Sequence, residues 1–547
     1  MMLPLDFDAI RRGFFTDQYF NNIRDMLEAL SAEHATFTGH SPLAHIPKEA
    51  QKSHLPGDAV VEMQFFHKKE FTITCGIEHA LEVLRHCCGF FDGEDFVNTY
   101  DQLEVEAVEE GSVSAARRPV LKIRGLYRHF GYLETVLLGI LARETKVATN
   151  AYLLQKAAGS KPVLFFPARF DLPTTQAFDG YAYFVGVSTY NRLHRQNIAP
   201  LVATPAQASL WGGKATGTTA HALVMCFLRD TTAAMLEFAR LMPPDVKRVA
   251  LVDSNNDCVG DSVKVALAFF ERFCALKERG SDGEAEKFRL FGVRADTAED
   301  VVDLSLQPDG RPGVVVELTK KMRRALDALA HRPWQSQQKE LAQRYFREIK
   351  IVASGGFNVE KIALFEREEA CVDFYGVGSA YFGSGQCDYT ADVVRVKVGG
   401  RWHQCAKVGR APWENPDLRK VVRAVVTGAT GFVGRHLTKA LLERGWHITA
   451  AVRRPHRLGA LADRLTVIRW NAAEPVPEAL RQAIHQANCL FHVAGLIKAR
   501  DAAQFYRVNT AATVKLYDAC RGSKCRFLFV SSQAAAGPAS RPVPLSE

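Results

Sequence analysis

Between Arg248 and Gly378 the chain reads RVALVD (Arg248–Asp253), FRLFGVRAD (Phe288–Asp296), IKIVASGG (Ile349–Gly356) and VDFYGVG (Val372–Gly378). Each is a short apolar run ending in an acidic, small or glycine-rich corner, and helical pattern separates one run from the next. Strands alternating with helices predict parallel β/α architecture. In a β/α barrel the reactive groups stand at the C-terminal ends of strands, and a phosphate often rests on the last loops. Here the early corners are acidic and the late ones are SGG and GVG. That order suits a ligand with phosphate at one end and a hydroxyl-rich, metal-bound part at the other.

Outward from this stretch, the bulk numbers bound the possibilities. The chain has 547 residues, 47% hydrophobic and 24% charged, with a formal charge of +9. That length predicts about three domains of ordinary globular composition. Lysine and arginine are dispersed, as at Arg117–Arg118 and Lys320–Arg324, so a nucleic-acid partner is not expected and a slightly basic site for anionic substrates is. The opening MMLPLDFDAIRRGFF has no secretory pattern, and no apolar run reaches the roughly 18 residues of a membrane span. The 12 cysteines lack paired zinc spacing. Reduced thiols in a cytoplasmic protein with no membrane partner are expected.

The chain divides into regions. Residues 1–116 mix helix and strand pattern, and 383–412 return to strand-like alternation (DVVRVKVGG, RWHQCAKVG) that folds back on them as one α+β sandwich-like domain. Residues 117–382 are the β/α barrel. Residues 411–420, APWENPDLRK, are polar with two prolines and read as a linker. A fresh strand–turn–helix starts at Val421.

Residues 8–410 resemble the nicotinate phosphoribosyltransferases. The resemblance rests on TDQYF (Thr16–Phe20), FFPAR (Phe165–Arg169), GTTAH (Gly217–His221), LVDSNND (Leu251–Asp257), RAD (Arg294–Asp296), ASGG (Ala353–Gly356) and YGVGS (Tyr375–Ser379), in that order. It implies an irregular β/α barrel capped by a sandwich-like domain, the type II phosphoribosyltransferase fold. The reaction it implies joins nicotinate to phosphoribosyl pyrophosphate, giving nicotinate mononucleotide and pyrophosphate, with ATP hydrolysis through a phosphohistidine at His221. It implies a homodimer in which Tyr19 reaches the neighbouring subunit's site and, with Phe166, sandwiches the pyridine. Arg169 matches the arginine beside the stacking aromatic.

The residues themselves suit that chemistry. Positive charge builds on the ribose and negative charge on the leaving group, which oriented carboxylates, Mg²⁺ and basic groups would stabilise. Asp253 and Asp296 stand where they would hold ribose hydroxyls or Mg²⁺, and Arg294 where it would hold pyrophosphate or the base carboxylate. Ser354, Gly355 and Gly356, with Gly376 and Gly378, would let backbone N–H groups reach the 5′-phosphate. The chain departs from the family in PARFD (Pro167–Asp171) and in QAFDGYAYFVGVSTYN (Gln176–Asn191), where Ser188 and Thr189 are the expected carboxylate contacts. Two alternatives follow: nicotinamide as acceptor, or a non-catalytic fusion that binds and senses NADP.

Residues 421–547 begin VVRAVVTGATGFVGRHLTKALLERG, an apolar strand, three glycines and an amphipathic helix. Gly428, Gly431 and Gly434 would supply the tight turn, the approach of a pyrophosphate and close helix packing. Arg453 and Arg454 end the next strand where an acidic residue would favour NAD, so NADP is expected. With FHVAG (Phe491–Gly495), Asn509 and FLFVSSQAAAG (Phe527–Gly537), this part resembles extended short-chain dehydrogenases of the epimerase/dehydratase type. Ser532 matches their catalytic serine. Their Tyr-x-x-x-Lys pair is not found before Glu547, so the expectation is a truncated Rossmann module lacking its general acid/base.

Overall fold

The computed structural model describes residues 5–39, 45–383, 387–444 and 446–531. Three sheets organise them. The first is antiparallel and six-stranded, in the order Arg401–Gln404, Tyr389–Val398, Val60–His67, Leu121–Leu126, Glu104–Ala107, Arg419–Lys420. Val60–His67 pairs along its whole length with Tyr389–Val398, so residues far apart in the chain build one sheet. Helix Ile77–Cys87 packs on it through Leu81 and Leu84, against Met63, Phe65 and Ile123.

The second sheet is the barrel. Val163–Phe165, Phe374–Val377, Lys350–Ala353, Leu290–Ala295 and Arg248–Leu251 are adjacent in that order, and all pairs are parallel. These strands are buried on both faces, which is why they read as unbroken apolar runs. Closure is irregular. Single parallel bridges link Phe165 to Val202 and Val202 to Ala215. The ring then closes through Thr219, whose hydroxyl donates to Val249 O at 3.0 Å and accepts from Leu251 N at 3.2 Å. Helix Glu134–Ala158 joins the two regions: Leu137 and Leu141 lie in the sandwich core, and Val147, Ala151 and Leu154 in the barrel core.

The third sheet is parallel, in the order Thr466–Arg469, His447–Val452, Arg423–Thr427, Cys489–His492, Arg526–Phe529. Counted along the chain this is 3-2-1-4-5, a doubly wound order. Alternation along Arg423–Thr427 sends Ala424 and Val426 toward helix Phe432–Glu443 and Val425 toward helices Glu478–His485 and Ala512–Ala519.

One sequence expectation is corrected here. Residues 411–420 are not a free linker. Gln64 donates to Ala411 O and accepts from Trp413 N. Trp413 packs edge-on to Phe66 at 4.7 Å, and Asn415 donates to Pro119 O. Arg419–Lys420 then pairs with Ala107 and Glu106 as the last strand of the sandwich sheet. Proline and polar content marked a loop but carried no information about what its backbone bonds. Beyond it, Arg423 and His447 lie 3.5 and 3.0 Å from Glu82 and Glu78 of helix Ile77–Cys87.

Candidate active site

Four strand ends and one loop converge at the C-terminal mouth of the barrel. Arg294 is the hub. Its Nε donates to Ser354 Oγ, Nη1 to Thr218 Oγ1 and Nη2 to Asp296 Oδ2, each at 2.8 Å. Ser354 Oγ also donates to Asp296 Oδ1 at 2.7 Å. Each Asp296 oxygen therefore accepts one hydrogen bond and keeps a further acceptor site, and two of the five guanidinium N–H groups of Arg294 stay available. The Arg294 guanidinium lies 5.6 Å from the Phe166 ring centre. Phe166 follows strand Val163–Phe165 and is fixed by its own N–H donating to Val377 O.

Beside this hub, His221 begins helix His221–Cys226 with its side chain 46% exposed. Its Nε2 lies 2.9 Å from Asp253 Oδ2, whose side chain is 8% exposed. Burial raises the Asp253 carboxyl above the usual range, and the hydrogen bond from His221 pulls it back. Asp253 Oδ1 is buried and has no hydrogen-bond partner. A buried carboxylate oxygen left unpaired is costly, and it marks a place for a ligand hydroxyl or a cation. Among the described residues no group of three or more His, Cys, Asp or Glu forms a ready metal cage. Mg²⁺ takes one or two carboxylates and completes its shell with phosphate oxygens and water, and the unpartnered Asp253 Oδ1 suits such an ion.

The two glycine corners differ from each other. Gly355 and Gly356 have φ of +92° and +63°, a conformation that disfavours any side chain. Gly355 O accepts from Lys361 Nζ at 2.9 Å. At the other corner, a Cβ on Gly376 would meet the Phe166 ring at 3.0 Å, and one on Gly378 the Phe170 ring at 2.5 Å. Both corners have a side chain seated in the space that a Cβ would take: aromatic rings at Gly376 and Gly378, and the Glu299 carboxylate at Gly356, where Oε1 is 1.7 Å from the Cβ position.

The remaining expected residues are dispersed. Arg169 is exposed and makes no hydrogen bond or ion pair among the described residues. Its neighbour Asp171 is 2.5 Å from Arg143, which also grips Asp179. Thr189 is corrected: residues 176–194 form a buried helix, and the Thr189 hydroxyl donates to Gly111 O at 3.1 Å, away from the mouth. That segment is apolar nearly all round because Gly180 and Gly186 press it against the backbones of Gln207 and Ala148. No periodicity therefore showed which side faced the site. Ser188 lies half-buried on the same helix, and among the described residues its side chain bonds no mouth residue. Tyr19 sits on helix Gln18–Ala32, 56% exposed, its ring against Phe20 and its hydroxyl raised in pKa by burial and Asp17. It touches no mouth residue of its own chain.

Sequence reasoning passed over Thr218, Thr219 and Lys361. The two threonines stood inside GTTAH, and Lys361 follows the helix-capping Asn358 by three residues. Nothing in their residue types distinguishes such roles from ordinary loop polarity.

In the third sheet, Gly428 has φ of +77° and crowds Ala494, and a Cβ on Gly434 would lie 2.1 Å from Gly428 O. Gly431 precedes helix Phe432–Glu443. Arg453 and Arg454 are exposed and unpaired among the described residues. His492 is buried between Thr427 and Thr513, and burial lowers its pKa to about 4. Ser532 lies outside the described residues.

Comparison with known proteins finds two separate families along the chain. Residues 47–145 match the quinolinate phosphoribosyl transferase N-terminal domain, and 424–547 match the NAD dependent epimerase/dehydratase family. Nicotinate phosphoribosyltransferase of Bacillus subtilis is 21% identical over 58% of this chain and 55% of its own. Ceramide reductase of Caulobacter vibrioides is 41% identical over 22% of this chain and 38% of its own. The crystal structure of nicotinate-nucleotide pyrophosphorylase from Pyrococcus furiosus is 25% identical, covers 74% of this chain and 80% of its own, and superposes with a TM-score of 0.50. The chain thus spans 38% and 55% of the length of these two curated relatives. It has a type II phosphoribosyltransferase fold joined to an epimerase/dehydratase-type Rossmann domain. No helix among the described residues is long and apolar enough to cross a membrane.

Proposed function

We propose that the barrel and its sandwich-like cap form nicotinate mononucleotide and pyrophosphate from nicotinate and phosphoribosyl pyrophosphate, as a step of NAD synthesis driven by ATP through His221. The observation that carries the proposal is the pairing of a half-exposed His221 with Asp253, whose second oxygen has no partner, beside the Arg294–Asp296–Ser354 network.

The chemistry follows from these groups. The pyridine nitrogen gives its electron pair to the ribose anomeric carbon, and the carbon–oxygen bond to pyrophosphate breaks with its pair going to the leaving group. Phe166 offers a flat wall to the pyridine. Arg169, without a partner among the described residues, suits the carboxylate that nicotinate has and nicotinamide lacks. Asp296 is held rigidly by Arg294 and Ser354, so it stabilises charge on the sugar without reorganising. Asp253 and Asp296 would hold Mg²⁺, which when bound neutralises pyrophosphate charge. Gly355 and Gly356 present the backbone to the 5′-phosphate.

For the ATP step, Asp253 accepts Nε2–H and so leaves the Nδ1 lone pair free. Nδ1 attacks the γ-phosphorus, the bond to ADP breaks, and Asp253 balances the charge that develops on the ring. Exposure of His221 admits the nucleotide. A homodimer would bring Tyr19 to the open face of the base.

The C-terminal domain would hold NADP on Gly428, Gly431 and Gly434, with Arg453 and Arg454 on the 2′-phosphate. A second acceptor, quinolinate, is favoured by one finding, the domain match over residues 47–145. A diacid needs a second cation near Arg169.

The test separates the two halves of the mechanism. His221→Ala should abolish stimulation by ATP while leaving ATP-independent synthesis. Asp296→Asn should lower both by about 10²-fold, as loss of a fixed charge-stabilising group does. ATP stimulation that survives in His221→Ala removes the phosphohistidine from the scheme.

A further inference from the structure

In the sandwich-like region, a cavity of about 150 Å³ opens between helix Phe7–Arg11, helix Gln18–Ala32 and the hairpin Gly89–Asn98. We propose that it binds a planar aromatic monocarboxylate, at a site separate from the barrel. Its walls include the rings of Phe90, Phe96 and Tyr132, and its charged groups are Arg11, Arg24 and Glu28.

Size limits the ligand. A space of roughly this volume is large enough for one aromatic ring, and here rings and charged side chains line it together. Charge limits it further. The lining holds two guanidinium groups and one carboxyl, Glu28, while Asp25, the partner of Arg24, lies outside it; these groups would hold no more than a single carboxylate. The Tyr132 hydroxyl is already spent on Cys87 O, so it does not compete.

The two arginines are prepared for an anion. Arg11 lies 4.8 Å from the Phe96 ring centre and Arg24 5.2 Å from that of Tyr132. Stacking on a ring fixes a guanidinium plane and leaves its N–H edge for a carboxylate. Arg11 gives Nε to His86 O at 2.8 Å and also bonds the Cys87 thiol, which leaves part of its guanidinium edge for a ligand. Arg24 pairs with the exposed Asp25 through Nε and Nη2, which leaves Nη1. Glu28 is half-buried in the same wall, and burial raises its carboxyl above the usual range against the pull of Arg24. A bound carboxylate would repel ionised Glu28 and be held by the arginines. Ligand here would bridge helix Gln18–Ala32 to the hairpin.

The test uses para-fluorobenzoate and fluorine NMR on the full chain. Phe166→Ala removes the barrel's stacking wall and isolates the second site, which should still bind one molecule per chain. Adding Arg24→Met should abolish that binding. Glu28→Gln in the Phe166→Ala background should instead tighten it about threefold, because a repulsive charge near the anion is gone. A folding defect would not produce a gain. Absence of binding in Phe166→Ala overturns the proposal, as does binding that survives Arg24→Met or is unchanged by Glu28→Gln.

Discussion

Asp253→Asn is the substitution that most sharply probes the histidine. In the wild-type chain the carboxylate accepts Nε2–H across 2.9 Å, which keeps the nucleophilic lone pair on Nδ1. An asparagine of the same shape can present its NH₂ to Nε2 and so move the ring proton to Nδ1. Even where its oxygen still accepts, the negative charge is lost. The magnitude follows from position. Unit charges about 4 Å apart interact by roughly 4 kcal/mol at an effective dielectric of 20. The half-exposed imidazole is partly screened by water, leaving about 2–3 kcal/mol, or about a hundredfold in the rate of phosphoryl transfer. The assay is formation of acid-labile phosphoprotein from labelled ATP with no pyridine base present, followed by rapid quench. Phosphorylation of Asp253→Asn at the wild-type rate would refute the role assigned to Asp253.

Two further predictions concern stability. Burial, reinforced by Asp392 and Asp17, pushes the Glu134 carboxyl up to about 8. A raised carboxyl favours the folded state below its unfolded pKa, and that contribution is lost as pH rises from about 4.5 through 8. Glu134→Gln should therefore match wild type in melting temperature at pH 5 and exceed it at pH 9, by on the order of 2 kcal/mol after allowance for solvent; equal differences at both pH values would contradict this. A fragment ending at Arg410 should melt below one ending at Val422 by about 3 kcal/mol, since it loses Trp413, the Gln64 and Asn415 bonds and the edge strand. Equal melting of the two would show that residues 411–422 add nothing to the sandwich domain.

The parts of the fold that sequence revealed are those where local pattern and tertiary role coincide. Buried parallel strands must be apolar throughout, so Arg248–Leu251, Leu290–Ala295, Lys350–Ala353 and Phe374–Val377 stood out, with their polar ends. The glycines at 428, 431 and 434 were legible because strand and helix flank them. Closure of the barrel was not legible, because Val202, Ala215 and Thr219 contribute isolated bonds from loop backbone. Thr189 was misplaced because its helix is buried on nearly all sides and has no polar face to orient it. Arg294 was found as a charge at a strand end, but its part in joining Thr218, Asp296 and Ser354 is a property of three segments meeting in space.

The central claim is the reaction and its acceptor. Supplied with phosphoribosyl pyrophosphate, Mg²⁺ and ATP, the full chain should convert nicotinate to its mononucleotide faster than it consumes nicotinamide or quinolinate, with the product identified by mass. Arg169, unpaired among the described residues, is the reason a monocarboxylate should win over the amide. Faster turnover of nicotinamide would contradict the assignment of Arg169, preference for quinolinate would contradict the assignment of nicotinate, and no mononucleotide from any of the three bases would contradict the account as a whole.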